Sequence, residues 1–440
     1  DSRGAGLGGK IVQCTKCKRE RSMENVFSKN AMLFIGAKCP AREPWIAGTG
    51  KSDCDKPLRV LQRGASNVYW GDTTSALDIP PYSPDPGAMF GPHWPTIRAL
   101  PNDMREQVVR SLAPQLPSPP EVLLHALDEW TTTVDSDDKA QPIEWAEYRQ
   151  FQRSLKERVT RPDFETRPEQ CPSEFQSILD GVVLARRLRE VRVQVGFTRI
   201  SPPGGMFRAA QGTKGRLSKT PLPWLPAIEM RGEGIYLEFK HSEVARWEKS
   251  DPVKNHFGRY AKQLKTDLEQ EAKTEETLKL IREKFNTWVD HGPRFVLLHS
   301  FAHAFMRRLS LECGYSSSAL RERLYVNRTG LDMLGVLIHT DSPDSEGTLG
   351  GLVRQGQPER LYSTLVGMLR DLSWCSSDPI CITGTMTLSS PRNGAACHAC
   401  LLAPETSCLH FNTLLDRALL VGTSEAPTVG FLRPLIDELT

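Results

Sequence analysis

The sequence predicts an α+β, multidomain protein, and three observations carry that reading. Nine of the eleven cysteines fall into two groups at opposite ends of the 440-residue chain. Eleven of the 41 residues from Pro80 to Pro120 are proline. Beyond them, apolar residues recur first at the three-to-four spacing of helices and then with the alternation and β-branching of strands.

At the N-terminus, Gln13-Cys-Thr-Lys-Cys17 sets two thiols on one tight knuckle, the spacing a tetrahedral zinc requires, and Cys39 and Cys54 would complete a four-thiolate site. About seventy residues with few large apolar side chains would draw most of their folding energy from such an ion, so residues 1–79 read as a small zinc module. The proline density from 80 to 120 argues against continuous helix or central strand and predicts a linker. Residues 121–290 then form a helical and mixed region. Pro120 to Leu127, Trp145 to Val159 and Phe175 to Arg192 show helical periodicity, while Val191 to Ile200 and Gly234 to Phe239 suit a sheet. Phe257 to Val289 reads as one long charged helix with a single apolar face.

Residues 291–440 form the last domain. Phe295 to Leu311 is a far more apolar helix, Leu334 to His339 a buried strand before a glycine-rich turn, and Leu361 to Leu372 and Phe411 to Val421 read as helices bracketing the second cysteine group. That group offers five thiols for four positions: Cys375, Cys381, Cys397, Cys400 and Cys408. The tight trio Cys397, Cys400 and Cys408 is taken with Cys375, leaving Cys381, His398 and His410 as other candidates. Four cysteine ligands close the coordination sphere, so both sites read as structural zinc sites with no activated water and no catalytic residue.

Composition narrows the function classes. The net charge is only +3, yet Ala185 to Thr220 holds nine basic residues against the single acid Glu190. Arg186, Arg187, Arg192, Arg199, Arg208, Lys214, Arg216 and Lys219 in this window are candidate phosphate contacts, and the interleaved Phe197 and Phe207 suit unpaired bases, favouring single strands or junctions. The bland alternative is a solvated face paired with Asp267, Glu269, Glu271, Glu275 and Glu276. Two phosphate-loop look-alikes fail. Gly4 to Lys10 is followed by Ile11 where Ser or Thr must bind Mg²⁺, and Trp45 stands where Gly48-Thr-Gly-Lys-Ser52 needs its first glycine. His299-Ser-Phe-Ala-His303 puts two imidazoles on one helical face but has Ser300 where a zinc protease carries its base. With Asp341, Asp344 and Glu346 they could instead build a metal-dependent nuclease or phosphoesterase pocket, against the plainer reading of hydrogen-bonded core histidines. No run of eighteen apolar residues suggests a membrane span, the start lacks an apolar signal core and looks like the edge of a fragment, and clustered cysteines in a chain of this length predict a reducing, cytoplasmic compartment.

Several segments in order resemble one family: Leu58 to Tyr69, Ser75 to Pro80, Leu188 to Arg192, Gly196 to Ile200, Gly232 to Tyr236, His299 to His303, Gly347 to Leu352, Ala396 to Cys400 and Leu415 to Gly422. The chain is similar to DrmB, the component of the DISARM anti-phage system that carries an MrfA-type zinc-binding domain. The resemblance implies a bacterial protein that partners DrmA, a superfamily 2 helicase, and helps engage phage DNA. It carries the zinc ligands over onto the cysteines named above, while no DNA contact carries over.

Overall fold

The computed structural model describes residues 9–26, 28, 31–32, 46, 58, 60, 69–80, 89–116, 118–134, 142–199, 215–271, 275–328, 331–340, 351–384, 392–404 and 406–440. The chain divides into two compact units: Asp1–Thr74 with Val193–Pro203 and Ala210–Ala227, and a larger one of Ser75–Arg192, Gly204–Ala209 and Ile228–Thr440.

In the smaller unit, β1 (Ile11–Gln13) and β2 (Glu20–Ser22) pair antiparallel, Ile11 opposite Ser22. The knuckle Cys14 to Cys17 makes the turn between them, closed by Lys18 N–H donating to Cys14 O at 2.9 Å. Phe197, a candidate for stacking on bases, packs its ring on Tyr69 at 5.8 Å, and its carbonyl accepts from Gly215 N–H at 2.7 Å.

The larger unit is organised by a sheet and the two cores it separates. The strands lying wholly or partly in it are β3 (Tyr69–Leu77), β4 (Val159–Thr160), β5 (Phe164–Glu169), β6 (Leu179–Arg199), β7 (Ala227–Phe239), β8 (Leu320–Asn327) and β9 (Met333–Thr340). Among the described residues the order is β4-β5-β6-β7-β9-β8, with β3 also on β6. Side chains alternate between faces, as strand geometry requires. Val182, Leu184, Ile235, Leu237, Leu334, Val336 and Ile338 enter the larger core, while Val183, Ala185, Tyr236, Met333 and Leu337 enter the other.

The helices distribute over these cores. A small separate cluster holds α1 (Trp94–Ala99), α2 (Asn102–Leu112) and α3 (Pro120–Val134), packed through Ile97, Val109, Leu123 and Leu127. The proline-rich stretch read as a linker therefore contains helix. Its prolines sit where a helix tolerates them: Pro95 in the first turn of α1, Pro101 just before α2, and Pro120 opening α3. Helix α4 (Ile143–Ser154) seals the lesser core with Tyr148 and Phe151. On the opposite face lie α5 (His241–Glu248), α6 (Asp251–Glu271), α7 (Glu275–His291), α8 (Pro293–Cys313), α9 (Gly351–Gln355), α10 (Pro358–Ser373), α11 (Ala418–Val421) and α12 (Arg433–Leu439).

Three elements depart from the periodicity reading. Phe175 to Arg192 is not helix: a short 3-10 turn leads into β6, because its apolar residues fill both cores and so mask the alternation. The single charged helix is two, α6 and α7, whose Leu264, Leu268, Ile281, Phe285 and Trp288 are buried as one core face. Phe411 to Val421 is helical only from Ala418, since Phe411, Asn412 and Leu414 have φ of 52°, 56° and 66°, outside the right-handed helical region. Helix α8 is as expected: residues from Pro293 to Met306 are buried, and Gly314 ends it in the left-handed conformation at φ 72°.

Candidate metal centre

The N-terminal knuckle brings Cys14 and Cys17 to the surface of its hairpin turn. Backbone N–H groups of Cys17 and Lys16, followed by the Cys17 side chain, lower the Cys14 pKa, as suits a thiolate ligand. Cys39 and Cys54 lie outside the described residues, so only half of the expected set can be placed.

The second group is resolved. Cys375 follows α10, Cys381 lies in the turn beyond it, and Cys397 and Cys400 form a second knuckle; all four are buried, with ligand atoms within 4.8 Å of one another. Sulfur separations are 3.5 Å for Cys375 to Cys397 and 3.7 Å for both Cys381 to Cys400 and Cys397 to Cys400. Four sulfurs at about 2.3 Å from a tetrahedral zinc lie about 3.8 Å apart, so these thiols are spaced for that ion without rearrangement. The Cys381 hydrogen bond, the Cys397 backbone and the Arg417 guanidinium hold the Cys400 thiol down at about 6. Arg417, itself buried, donates to Leu372 O at 3.0 Å and pairs with Asp378, whose oxygens accept from Cys375 N–H at 3.0 Å and Ile382 N–H at 3.1 Å. The cation would offset the −2 charge of a four-thiolate zinc site, and Asp378 fixes the loop that carries two ligands.

Of the expected set, the structure thus brings together Cys375, Cys397 and Cys400, with Cys381 where Cys408 was expected. Cys408 lies elsewhere, 3.3 Å from His299 Nε2 and clustered with His299, His303 and Glu322. Sequence spacing favoured Cys408 because it follows Cys400 by eight positions; the chain between them turns away instead, with Leu402 N–H donating to Cys397 O at 3.1 Å and Ser407 N–H to Pro404 O at 2.9 Å. His398 is not part of either cluster. His410 meets His299 edge to face at 5.2 Å, and burial pushes its pKa down to about 3. The pocket imagined around His299, His303, Asp341 and Glu346 cannot be traced, since 341–350 lie outside the described residues, but both imidazoles are enclosed at no more than 1% exposure.

The basic window is only partly described. Arg208 and Lys214 and the side chain of Arg199 lie outside the described residues, while Arg216 and Lys219 are exposed in the smaller unit. In the larger unit Arg189 pairs with Asp78 and Asp163, and Arg192 with Glu190 at 3.0 Å. Arg186 and Arg187 remain 55% and 51% exposed and, with Arg158, share the single carboxylate of Glu165. These partners differ from the expected acids: Glu269, for instance, pairs with Arg282 at 2.9 Å.

Convergent buried thiols on two knuckles, framed by helices, define a zinc-binding-domain protein. The family described as the MrfA Zn-binding domain matches residues 301–401, which hold all four of these cysteines, and a domain of unknown function, DUF8724, matches residues 1–70. The DISARM protein DrmB of Bacillus paralicheniformis is 31% identical over 454 aligned positions, covering 98% of this chain and 76% of that protein. The chain belongs to the DISARM DrmB family, as its ordered segments implied. The crystal structure of the DUF1998 helicase MrfA bound to DNA is similar at 8% identity and a TM-score of 0.28, covering 56% of this chain. The chain spans 24% of that helicase's length. Among the described residues, no helix is long and apolar enough to cross a membrane.

Proposed function

We propose that the chain is a non-catalytic DISARM subunit that binds a superfamily 2 helicase, DrmA, and helps hold phage DNA during antiviral defence in the bacterial cytoplasm. The likeness to DrmB over 98% of the chain carries this reading. Cys375, Cys381, Cys397 and Cys400 hold a structural zinc in it: their donor set and spacing suit the ion, and all four positions are filled by protein, leaving none for an attacking water. A second zinc is assigned to Cys14, Cys17, Cys39 and Cys54 from their spacing.

The DNA contact is assigned first to Arg186 and Arg187. Together with Arg158 they set three half-exposed guanidiniums against one carboxylate, so local charge is left over after internal pairing. Arg192, Arg199, Arg208, Lys214, Arg216 and Lys219 extend the assignment along the sequence. Single strands or junctions are the preferred form.

The experiment is a salt titration of DNA binding by the chain with its helicase partner, for wild type and Arg186→Glu/Arg187→Glu. Reversal is expected to weaken binding and flatten the dependence of log K on log salt, by about 0.7 per lost contact on a single strand and about 0.9 on a duplex. Unchanged affinity and slope would refute the DNA assignment, and a chain that never co-purifies with a helicase would refute the partner.

A further inference from the structure

The cluster around Cys408 poses a chemical problem. His299 and His303 project from α8 one helical turn apart, and Glu322 reaches in from β8. Glu322 occupies a strand position whose neighbours on the same face, Leu320 and Leu324, pack into the larger core, so a carboxylate has been placed where the pattern calls for an apolar side chain. His299, Glu322 and Cys408 are at most 2% exposed, and His303 only 1%.

Their hydrogen bonds fix the tautomers. His299 Nδ1 lies 3.2 Å from Leu414 O and His303 Nδ1 2.8 Å from Leu401 O, so each Nδ1 must carry the proton. Each Nε2 then turns a lone pair inward. There it meets other acceptors: Glu322 Oε1 is 3.1 Å from His299 Nε2 and 3.5 Å from His303 Nε2. His303 Nε2 and both Glu322 oxygens make no well-formed hydrogen bond, and a thiol at Cys408 could supply only one weak donor. The Cys408 sulfur itself accepts from Asn412 N–H at 3.4 Å, as a ligating thiolate does. Acceptors converging in a dry core repel one another and forfeit their solvation with nothing in return. A cation at their centre removes the problem.

We infer that His299, His303, Glu322 and Cys408 form a second metal site in the C-terminal domain, closed and tetrahedral, which takes zinc. Two neutral imidazoles, one carboxylate and one thiolate carry −2, which a divalent ion cancels. Ligands at about 2.0–2.3 Å from a tetrahedral zinc stand about 3.3–3.8 Å apart, close to the 3.1, 3.3 and 3.5 Å separations here. The mixed nitrogen, sulfur and oxygen set suits zinc rather than calcium or magnesium. With four protein ligands the ion is structural, stitching a helix, a strand and the segment after Cys400.

X-ray absorption at the zinc edge of the full-length chain tests this. The wild type is expected to show nitrogen or oxygen neighbours at about 2.0–2.1 Å beside sulfur at about 2.3 Å. His303→Cys keeps four ligands and is expected to retain all zinc while trading nitrogen for sulfur in the average shell. Cys408→Ser combined with Glu322→Gln is expected to lose one zinc per chain by elemental analysis and leave a shell of sulfur alone. A sulfur-only shell in the wild type, a shell unchanged by His303→Cys, or nitrogen persisting in the double variant would overturn the assignment. The four-thiol site stands or falls separately, through Cys400→Ser.

Discussion

Glu147 shows how a charge can be kept inside this protein. It is fully buried on α4, where its carboxylate pairs with Arg323 at 2.7 Å, accepts from Tyr325 at 3.0 Å and from Leu77 N–H at 2.8 Å. Arg323 donates twice more to Ser75, to its hydroxyl at 3.0 Å and its carbonyl at 3.1 Å. With every partner satisfied the pair is tolerated, but removing one member strands the other. Glu147→Ala is expected to destabilise the chain by about 3–5 kcal/mol in urea unfolding, since a bare guanidinium would remain in the core. Arg321, Glu322 and Arg323 stand side by side in a strand, a pattern that looks solvent-facing in sequence yet is buried on both faces. That is why sequence reasoning missed Glu322 as a ligand: the signal, a charge alternating with Leu320 and Leu324, becomes visible only once the strand is known to have a core on each side. The i, i+4 histidines were legible because a helix puts them on one face whatever surrounds it. The thiol pairs at three-residue spacing were legible too, whereas choosing Cys381 over Cys408 depended on backbone turns that no spacing rule encodes.

Helix α5 begins on a titrating residue. His241 donates to Glu238 at 3.1 Å and to Asp332 at 2.9 Å, and these carboxylates raise its pKa above the ordinary 6.5, the Glu238 hydrogen bond contributing most. A raised folded pKa means the charged imidazole is favoured by the fold, so its contribution is complete below about pH 6.5 and disappears as pH climbs through the folded value. The gap in urea midpoint between wild type and His241→Gln should therefore be widest near pH 6 and narrow towards pH 9; a pH-independent gap would contradict this pairing. Elements with one apolar face, such as α6 and α10, were readable from periodicity, because burial on one side imposes it. Strand β6 was not, because Val182 to Ala185 enter two cores in turn and leave an unbroken apolar run that suits a helix as well as a strand. The helices α1 and α2 were hidden by their prolines, which count against helix in composition and for it by position.

At the scale of the whole molecule, the α+β class was within reach of the sequence, because cysteine spacing and apolar period are local properties. The partition into cores was not, being set by which strands neighbour one another. If structural zinc secures the four thiols, a strong chelator should cost more than about 2 kcal/mol, which for the larger unit is a fall in Tm of at least roughly 3 °C. Hydrogen exchange should quicken first in residues 392–417, and an unaltered exchange pattern with the ion stripped would argue against a structural metal there. That segment has a consequence for biogenesis. Helix α8 and strand β8 leave the ribosome well before Cys397, Cys400 and Cys408, yet the carboxylate on the strand and the imidazoles on the helix acquire their last neighbour only from this late stretch. Until that stretch has emerged, the larger core holds a half-built charged cavity that water must fill. A nascent chain halted anywhere before Cys408 would be unable to close it, so the stretch from Cys397 to Cys408 acts as the clasp on a core whose other walls are made much earlier.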